Sequence, residues 1–496
     1  MNKNRMIAGV LAAVSVMGLS GCAEETASQQ QNNPALSTTT AATTTDPDEN
    51  AATDRDIKEL GTTSYTPDGN AGTVVYLGYY DIREDQKGTE QCLVFQSPQY
   101  GGNIEYVTCP SGDAYYEKLG TMISSDESPD IVTHDAMMYP GNVGKWLFEP
   151  LDDYIDMDTP LWEDMKDVIN SYEYKGKHYK YPHKITTSFA LNYSRKTIEE
   201  NGLRDPYELY QNGEWTWDAW RDLMIEFCDR DEGNMGFFAT DTILTSLIAT
   251  TGTTLVEARS DGTIINNLGS TNVGRAMNFY ETLCRDGVMN GRELGNWVSP
   301  QLFATNSDKL LFLGMEPEWT YTAGTKELQD KQGVENDIIG QVSDLAFVPF
   351  PRDPSADAYY QSHDIFGFVV PKGAKNIKGA VDMINCFRVY ETDPDVIAQN
   401  RADHVSPEPI KYTEGKYAGQ ERWQMIWDEQ LYDLWQDMCD GSKFSLVNES
   451  AFGFSSDFWS IYADVLNATA FDGESWTQKS AEIAPVVEAA LDNYRS

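Results

Sequence analysis

Residues 72–132 read GTVVYLGYYDIREDQKGTEQCLVFQSPQYGGNIEYVTCPSGDAYYEKLGTMISSDESPDIV. Thr73-Val74-Val75-Tyr76-Leu77-Gly78-Tyr79 is a β-branched and aromatic run, the pattern of a buried strand. A polar stretch follows, and the spacing predicts a helix near 86–99. Tyr100-Gly101-Gly102-Asn103 punctuates it. Ile104 to Thr108 reads as a second strand. Asp113 to Ile123 sets Tyr116, Leu119 and Ile123 on one helical face. Pro129-Asp130-Ile131-Val132 is a third short strand, with a helix expected near 136–146. Strand, helix, strand, helix, strand is the rhythm of a wound α/β sheet. Ligands of such sheets sit beyond the carboxyl ends of the strands. That rule points at Tyr79-Tyr80-Asp81 and at Thr133-His134-Asp135.

Downstream of Pro182 the texture turns mostly helical. Asp218 to Cys228 and Ser270 to Arg285 have amphipathic spacing. Asp344 to Pro351 and Ile365 to Pro371 look like strands returning to a sheet. Helices follow over Ile377–Tyr390, Gly419–Cys439 and Ala481–Tyr494, and no fixed-period repeat is visible. The chain has 496 residues, beyond the roughly 250–300 that one core supports, so two lobes are expected. Its 41% apolar content is enough to build them. A formal charge of −41 argues against nucleic acid and anionic membrane surfaces, both polyanions.

The N-terminus carries an address. Lys3 and Arg5 precede an apolar run from Met6 to Leu19, too short to span a bilayer and suited to an export signal over residues 1–21. Leu19-Ser20-Gly21-Cys22 resembles a bacterial lipobox, which implies acylation of Cys22; the competing reading is an ordinary secretory peptide. Ala23 to Ser64 contains no aromatic residue and is dominated by Thr, Ala, Asn, Gln, Asp and Glu. Such a segment buries too little apolar surface to fold. Residues 22–71 therefore read as a lipidated Cys and a spacer spanning roughly 40 Å. Six further cysteines permit disulfides in an exported protein, with Cys92–Cys109 the preferred local bridge; buried thiols are the alternative.

Several segments carry a family resemblance. Ser128-Pro129-Asp130-Ile131-Val132, Leu147-Phe148-Glu149-Pro150-Leu151-Asp152-Asp153-Tyr154, and Tyr174-Lys175-Gly176-Lys177-His178-Tyr179 before Pro182 come in order. Leu191-Asn192-Tyr193, Trp215-Thr216-Trp217-Asp218-Ala219-Trp220, Leu310 to Trp319 and Phe458-Trp459 follow. Together they resemble a bacterial extracellular solute-binding protein of the sugar type, a maltose-binding-protein-like receptor of an ABC importer. The resemblance covers about residues 72–496. It implies an α/β, two-lobed periplasmic-binding-protein-like fold with a hinge and an interlobe cleft. Lobe 1 would take residues 72–187 plus 347–405, and lobe 2 residues 188–346 plus 406–496. It also implies capture of an oligosaccharide, delivery to ABC permease and ATPase subunits, a monomer, and attachment to the membrane only through lipid. The region Gly314-Met315-Glu316-Pro317-Glu318-Trp319 departs from the Gly-rich approach seen in relatives, which bears on Glu318.

A sugar offers hydroxyl edges and C–H ring faces. A receptor meets these with flat aromatic plates and a rim of donors and acceptors, carboxylates above all. The resemblance makes Trp319 and Trp459 stacking plates, with His134, Asp135, Tyr80 and Asp81 on the rim and Tyr193, Phe238 and Asp364 as further candidates. The bland alternatives are core packing for Trp459, a helix cap for His134, loop solvation for Asp81, and core or hinge for Phe238 and Tyr193. Trp215, Trp217 and Trp220 read as structural. No GxSxG, HExxH, P-loop or GxGxxG occurs, so no cofactor or catalytic residue is assigned. Asp229, Asp231 and Glu232 beside Gly233 could form a calcium loop, though a polar turn is the simpler reading. The rival classes are a secreted glycoside hydrolase, which needs two flanking carboxylates, and a same-fold receptor for a peptide or other polar solute.

Overall fold

The computed structural model describes residues 65–83, 89–133, 136–187, 189–231, 233–289, 303, 307–321, 344–406, 410–411, 421–422 and 427–495. The export signal, Cys22 and nearly all of the spacer lie outside these residues. In chain order the strands that matter here are β1 (Gly72–Gly78), β2 (Gly102–Thr108), β3 (Ile131–Thr133), β4 (Tyr181–Thr187), β5 (Ala190–Ser194) and β6 (Met235–Phe238). They continue with β7 (Val256–Ala258), β8 (Ile264–Asn266), β9 (Leu310–Met315), β10 (Leu345–Val348), β11 (Tyr360–Val369) and β12 (Ser445–Val447). The principal helices are α1 (Thr89–Gln96), α2 (Asp113–Ser124), α3 (Trp217–Cys228), α4 (Asp241–Ala249), α5 (Thr271–Arg285), α6 (Ile377–Thr392), α7 (Glu429–Met438), α8 (Ser456–Asp472) and α9 (Trp476–Asp492).

Two sheets organise the molecule. The first runs β12-β11-β3-β1-β2, with β4 also paired to β11. Its β1 pairs parallel to β2 and β3, whereas β11 is antiparallel to β3 and β4. The second sheet runs β10-β5-β9-β6, with β9 parallel to β6 and antiparallel to β5. In the second sheet the inner strand Leu310–Met315 is buried residue after residue, the pattern of a strand covered on both faces, whereas β1 of the first sheet is exposed at its start and buried toward its end. Each sheet has its own core. Val74, Tyr76, Leu77, Ile131, Val132 and Val369 belong to one; Leu191, Tyr193, Phe312, Leu313, Ala346 and Phe347 belong to the other. The chain leaves the first core after β4, enters the second with β5, and returns between β10 and β11. This is the two-lobed α/β architecture implied by the resemblance.

Local sequence explains many boundaries. Thr216 caps α3 by accepting the Ala219 N–H, Ser270 caps α5 through Val273 N–H, and Ser455 caps α8 through Phe458 N–H. Trp215, Trp217 and Trp220 are buried in the second core, and the Trp215 indole donates to the Pro349 carbonyl (2.8 Å). They are structural, as their place at the start of a helix implied. The short hairpin Glu173–Tyr174 to Lys177–His178 turns on Lys175-Gly176, both at positive φ, the geometry that a two-residue hairpin loop requires.

Some expectations need correction. The helix near 136–146 is instead a 3-10 turn, Ala136–Met138, and a single helical turn, Gly141–Gly144, interrupted by Pro140. The last helix begins at Trp476, five residues earlier than periodicity placed it. Ser445–Val447, counted with the second lobe, adds parallel to β11 at the edge of the first lobe's sheet. Cys92 and Cys109 form no bridge: none of the six described cysteines is in a disulfide. The Cys92 thiol points to the Ile82 carbonyl and the Cys109 thiol to that of Ala114, so each packs as a small apolar group in its own niche.

Candidate functional site

In the first lobe β1 runs out into Tyr79, Tyr80 and Asp81, all half-buried. Tyr80 stands edge-on to Tyr79 (5.0 Å between centroids, 68°), which in turn stands edge-on to Tyr115. Asp81 is clasped by Arg83, whose Nε and Nη2 donate to its two oxygens at 2.9 and 2.6 Å. Arg83 also reaches the Ile104 carbonyl on β2, so the loop after β1 is tied back to the sheet. At the end of β3, Thr133 shares a hydrogen bond with the Tyr76 hydroxyl (2.6 Å). His134 and Asp135 lie outside the described residues. Asp364 pairs through its backbone with Thr186 on β4, at the passage between the lobes; its side chain is likewise outside the description.

In the second lobe β6 ends at Phe238, which is buried and stacks on Phe471 (5.9 Å, 18°). Asp241 opens α4 three residues later. It is buried, accepts the Thr242 N–H (2.9 Å), and has its carboxyl raised above the ordinary range by desolvation; the Trp459 indole N–H opposes that shift. Trp459 sits in the first turn of α8, 5% exposed, with Phe452 at 4.5 Å and Tyr462 nearly parallel at 6.2 Å. Its Nε1 is buried without a hydrogen bond of sound geometry. Trp319 lies in the helical turn that starts at Pro317 just past β9, packed against the second core yet partly exposed. Glu316 and Glu318 beside it are buried. Burial first, then the charge of Glu318 and of Glu316, raises the Cys439 thiol to about 12. Glu318 thus faces the end of α7.

Tyr193 is a correction. It is fully buried in β5, its hydroxyl donates to Asp205 (2.7 Å), and its ring stands against Phe312. With its proton donated to Asp205 and its ring fully buried, it presents no surface to a guest. Asp241 and Phe452 escaped the sequence reading. The strand-end rule applied to β1 and β3 would have found Asp241 had it also been applied to Phe238-Ala239-Thr240-Asp241. The suggested calcium loop finds no support in Asp231, which pairs with Lys309 (3.0 Å) and accepts the Gly233 N–H; Glu232 is outside the description. Among the described residues no cluster of three or more His, Cys, Asp or Glu is arranged to hold a metal. No helix of these residues is long and apolar enough to cross a membrane.

The lobes meet beside these residues. Ala136–Met138, which directly follows His134 and Asp135, packs on the 3-10 turn Ser450–Gly453 of the second lobe. Phe452 of that turn carries the contact to Trp459. The approach is backbone to backbone: a Cβ at Gly453 would collide with the Tyr139 carbonyl, and one at Gly141 with the Gly453 carbonyl.

Comparison with known proteins places this architecture. A family model described as bacterial extracellular solute-binding protein matches residues 95–393. Among solved structures, the sugar-binding protein MalE of Xanthomonas citri superimposes with a TM-score of 0.60 at 15% identity, over 85% of this chain and 98% of its own. The galacto-N-biose/lacto-N-biose I-binding protein of a Bifidobacterium longum ABC transporter, in complex with lacto-N-biose, gives 0.58 at 13% identity, over 85% and 97%. The ABC substrate-binding protein Lmo0181 of Listeria monocytogenes, in complex with cycloalternan, gives 0.56 at 13%, over 85% and 99%. At these identities the likeness is one of fold. No curated protein matches the sequence. The family model spans well over half of the chain and the two-lobed fold agrees with it: the protein is a member of the bacterial extracellular solute-binding family.

Proposed function

We propose that this chain is the capture subunit of an ABC importer for a carbohydrate, an oligosaccharide, which it holds between its lobes and hands to a membrane permease without covalent chemistry. Lobe 1 takes residues 72–187 and the chain from β11 through residue 405, together with β12, and lobe 2 takes the rest of the body, β10 included. Trp319 and Trp459 are the plates; Tyr80, Asp81, His134, Asp135 and Asp241 are the rim. The chain is held at the outer face of the cell membrane through acylated Cys22 and its spacer. The observation that carries this reading is the packing of the segment after His134 and Asp135 against the turn that bears Phe452 on Trp459. It brings a strand end of one lobe to an aromatic plate of the other, the composite that a polyhydroxylated guest needs. The hinge passages allow closure, and a guest favours the closed form only by binding it better.

A thermal-shift screen tests this, because stabilisation by a ligand needs no prior site model. The panel includes cycloalternan, lacto-N-biose and acarbose, with small peptides as controls. Glycerophosphocholine is added because a similar fold from Mycobacterium tuberculosis was solved with it. Stabilisation by a glycan with the glycan recovered intact is expected. Hydrolysis of the glycan, or stabilisation by peptides or glycerophosphocholine alone, would overturn the proposal.

A further inference from the structure

The turn Ser450–Gly453 is small and polar-edged, yet it holds two contacts that matter: Gly453 against Tyr139 across the lobe boundary, and Phe452 against Trp459. Apart from Phe452 its side chains are small. What fixes it is Glu449, which precedes it. The Glu449 carboxylate accepts three backbone N–H groups: Ala451 (2.9 Å) within the turn, and Leu255 (2.7 Å) and Val256 (3.1 Å) at the start of β7. Ser450 Oγ adds a fourth link by accepting the Ala258 N–H (3.3 Å). The turn therefore lies along the β7 edge, held chiefly by one carboxylate. Both oxygens are engaged, and bonds to an ionised acceptor are the stronger kind.

We propose that Glu449 is a positioning residue for the lobe boundary: its clasp sets the turn where Gly453 meets the Tyr139 backbone and Phe452 braces Trp459. It acts through the turn and does not touch the guest. The boundary contact rests on the fold alone; only the consequence for Trp459 as a plate rests on the proposed function. The groups facing Glu449 are consistent with a clasp insulated from other charges. Tyr462 from α8 feels its charge, and Glu488 and Arg495, which act on Tyr462, pair with each other (2.6 Å). Burial pushes the Glu449 carboxyl up to about 7, against the pull of its three amides.

Hydrogen exchange of the full chain, read by mass spectrometry, tests this without any ligand, so a negative glycan screen leaves it standing. Glu449→Gln keeps the size but offers one acceptor oxygen and an NH₂ that faces the backbone donors. It should speed exchange about tenfold at Leu255, Val256 and Ala451, as expected for loss of such bonds. Exchange should rise as well across the boundary at 139–146, where Gly144, Lys145 and Trp146 donate to Pro140, Gly141 and Val143. Gly453→Ala should speed 139–146 while leaving Leu255 and Val256 protected. Release at 255–256 with 139–146 unchanged would reduce Glu449 to a local brace and overturn the proposal. So would acceleration spread evenly over the chain, or a Gly453→Ala protein that exchanges like the parent.

Discussion

The rims that the two lobes present at their strand ends are built differently. The first lobe offers half-buried tyrosines and an aspartate already neutralised by a neighbouring arginine, on a loop tied to β2. The second offers large aromatic faces set into its core: Trp459 between Phe452 and Tyr462, Phe238 on Phe471, and a buried aspartate beside them. One side is a polar edge whose geometry is set by hydrogen bonds; the other is an apolar wall whose geometry is set by packing. Substitutions of the buried aromatics in the second lobe's wall should therefore disturb folding and binding together, whereas those on the first lobe's edge should disturb binding with little effect on stability.

The largest effect is expected at Trp459. Replacement by Ala should cost about 3–5 kcal/mol of stability, because the cavity lies in the second core, and should weaken glycan binding as well; chemical denaturation and calorimetry measure the two. Trp319→Ala separates them: the residue is partly exposed, so binding should weaken by about 1–3 kcal/mol while the melting temperature moves little. Unchanged affinity in both variants would remove the aromatic wall from the site.

Asp241 should show opposite signs. Its carboxyl is raised by burial, so the folded state holds the proton more tightly than the unfolded chain. The stability it contributes is present below the unfolded carboxylate pKa and lost as pH rises through the folded value. Asp241→Asn should thus raise the melting temperature at neutral pH while weakening glycan binding by about 1 kcal/mol through the lost charged acceptor. A variant that binds as the parent does would take Asp241 off the rim. Glu449 obeys the same sign rule: between about pH 4.5 and 7 the parent should lose stability relative to Glu449→Gln as pH rises, and a flat difference in melting temperature would refute the raised carboxyl. The smallest effect belongs to the polar edge. Asp81→Asn breaks a partly exposed ion pair, so stability should fall by less than about 1 kcal/mol, and a larger loss would mean that the first lobe's edge is also held by packing.

Much of the architecture was legible because it rests on period and punctuation. Val74, Tyr76 and Leu77 in β1, and the Ser or Thr caps of α3, α5 and α8, announce themselves locally. The missed elements fail for a physical reason. Pro140 divides what hydrophobic spacing alone reads as one helix over 136–146. Ser445–Val447 is too short to declare which sheet it will join. Cys92 and Cys109 are near in sequence, yet the carbonyls that receive their thiols point them into separate niches.

The amino-acid order by itself determined the strand-helix rhythm, the family resemblance and the aromatic residues near strand ends, since all of these follow from neighbours along the chain. Only the tertiary structure decided that Tyr193 spends its hydroxyl on Asp205, that Asp241 and Phe452 stand beside Trp459, and that two glycine-bearing backbones meet at the lobe boundary. Some of these contacts join residues hundreds of positions apart, as Asp241 and Trp459 or Tyr139 and Gly453, and no local pattern encodes which side of a buried ring or carboxylate ends up facing the other lobe.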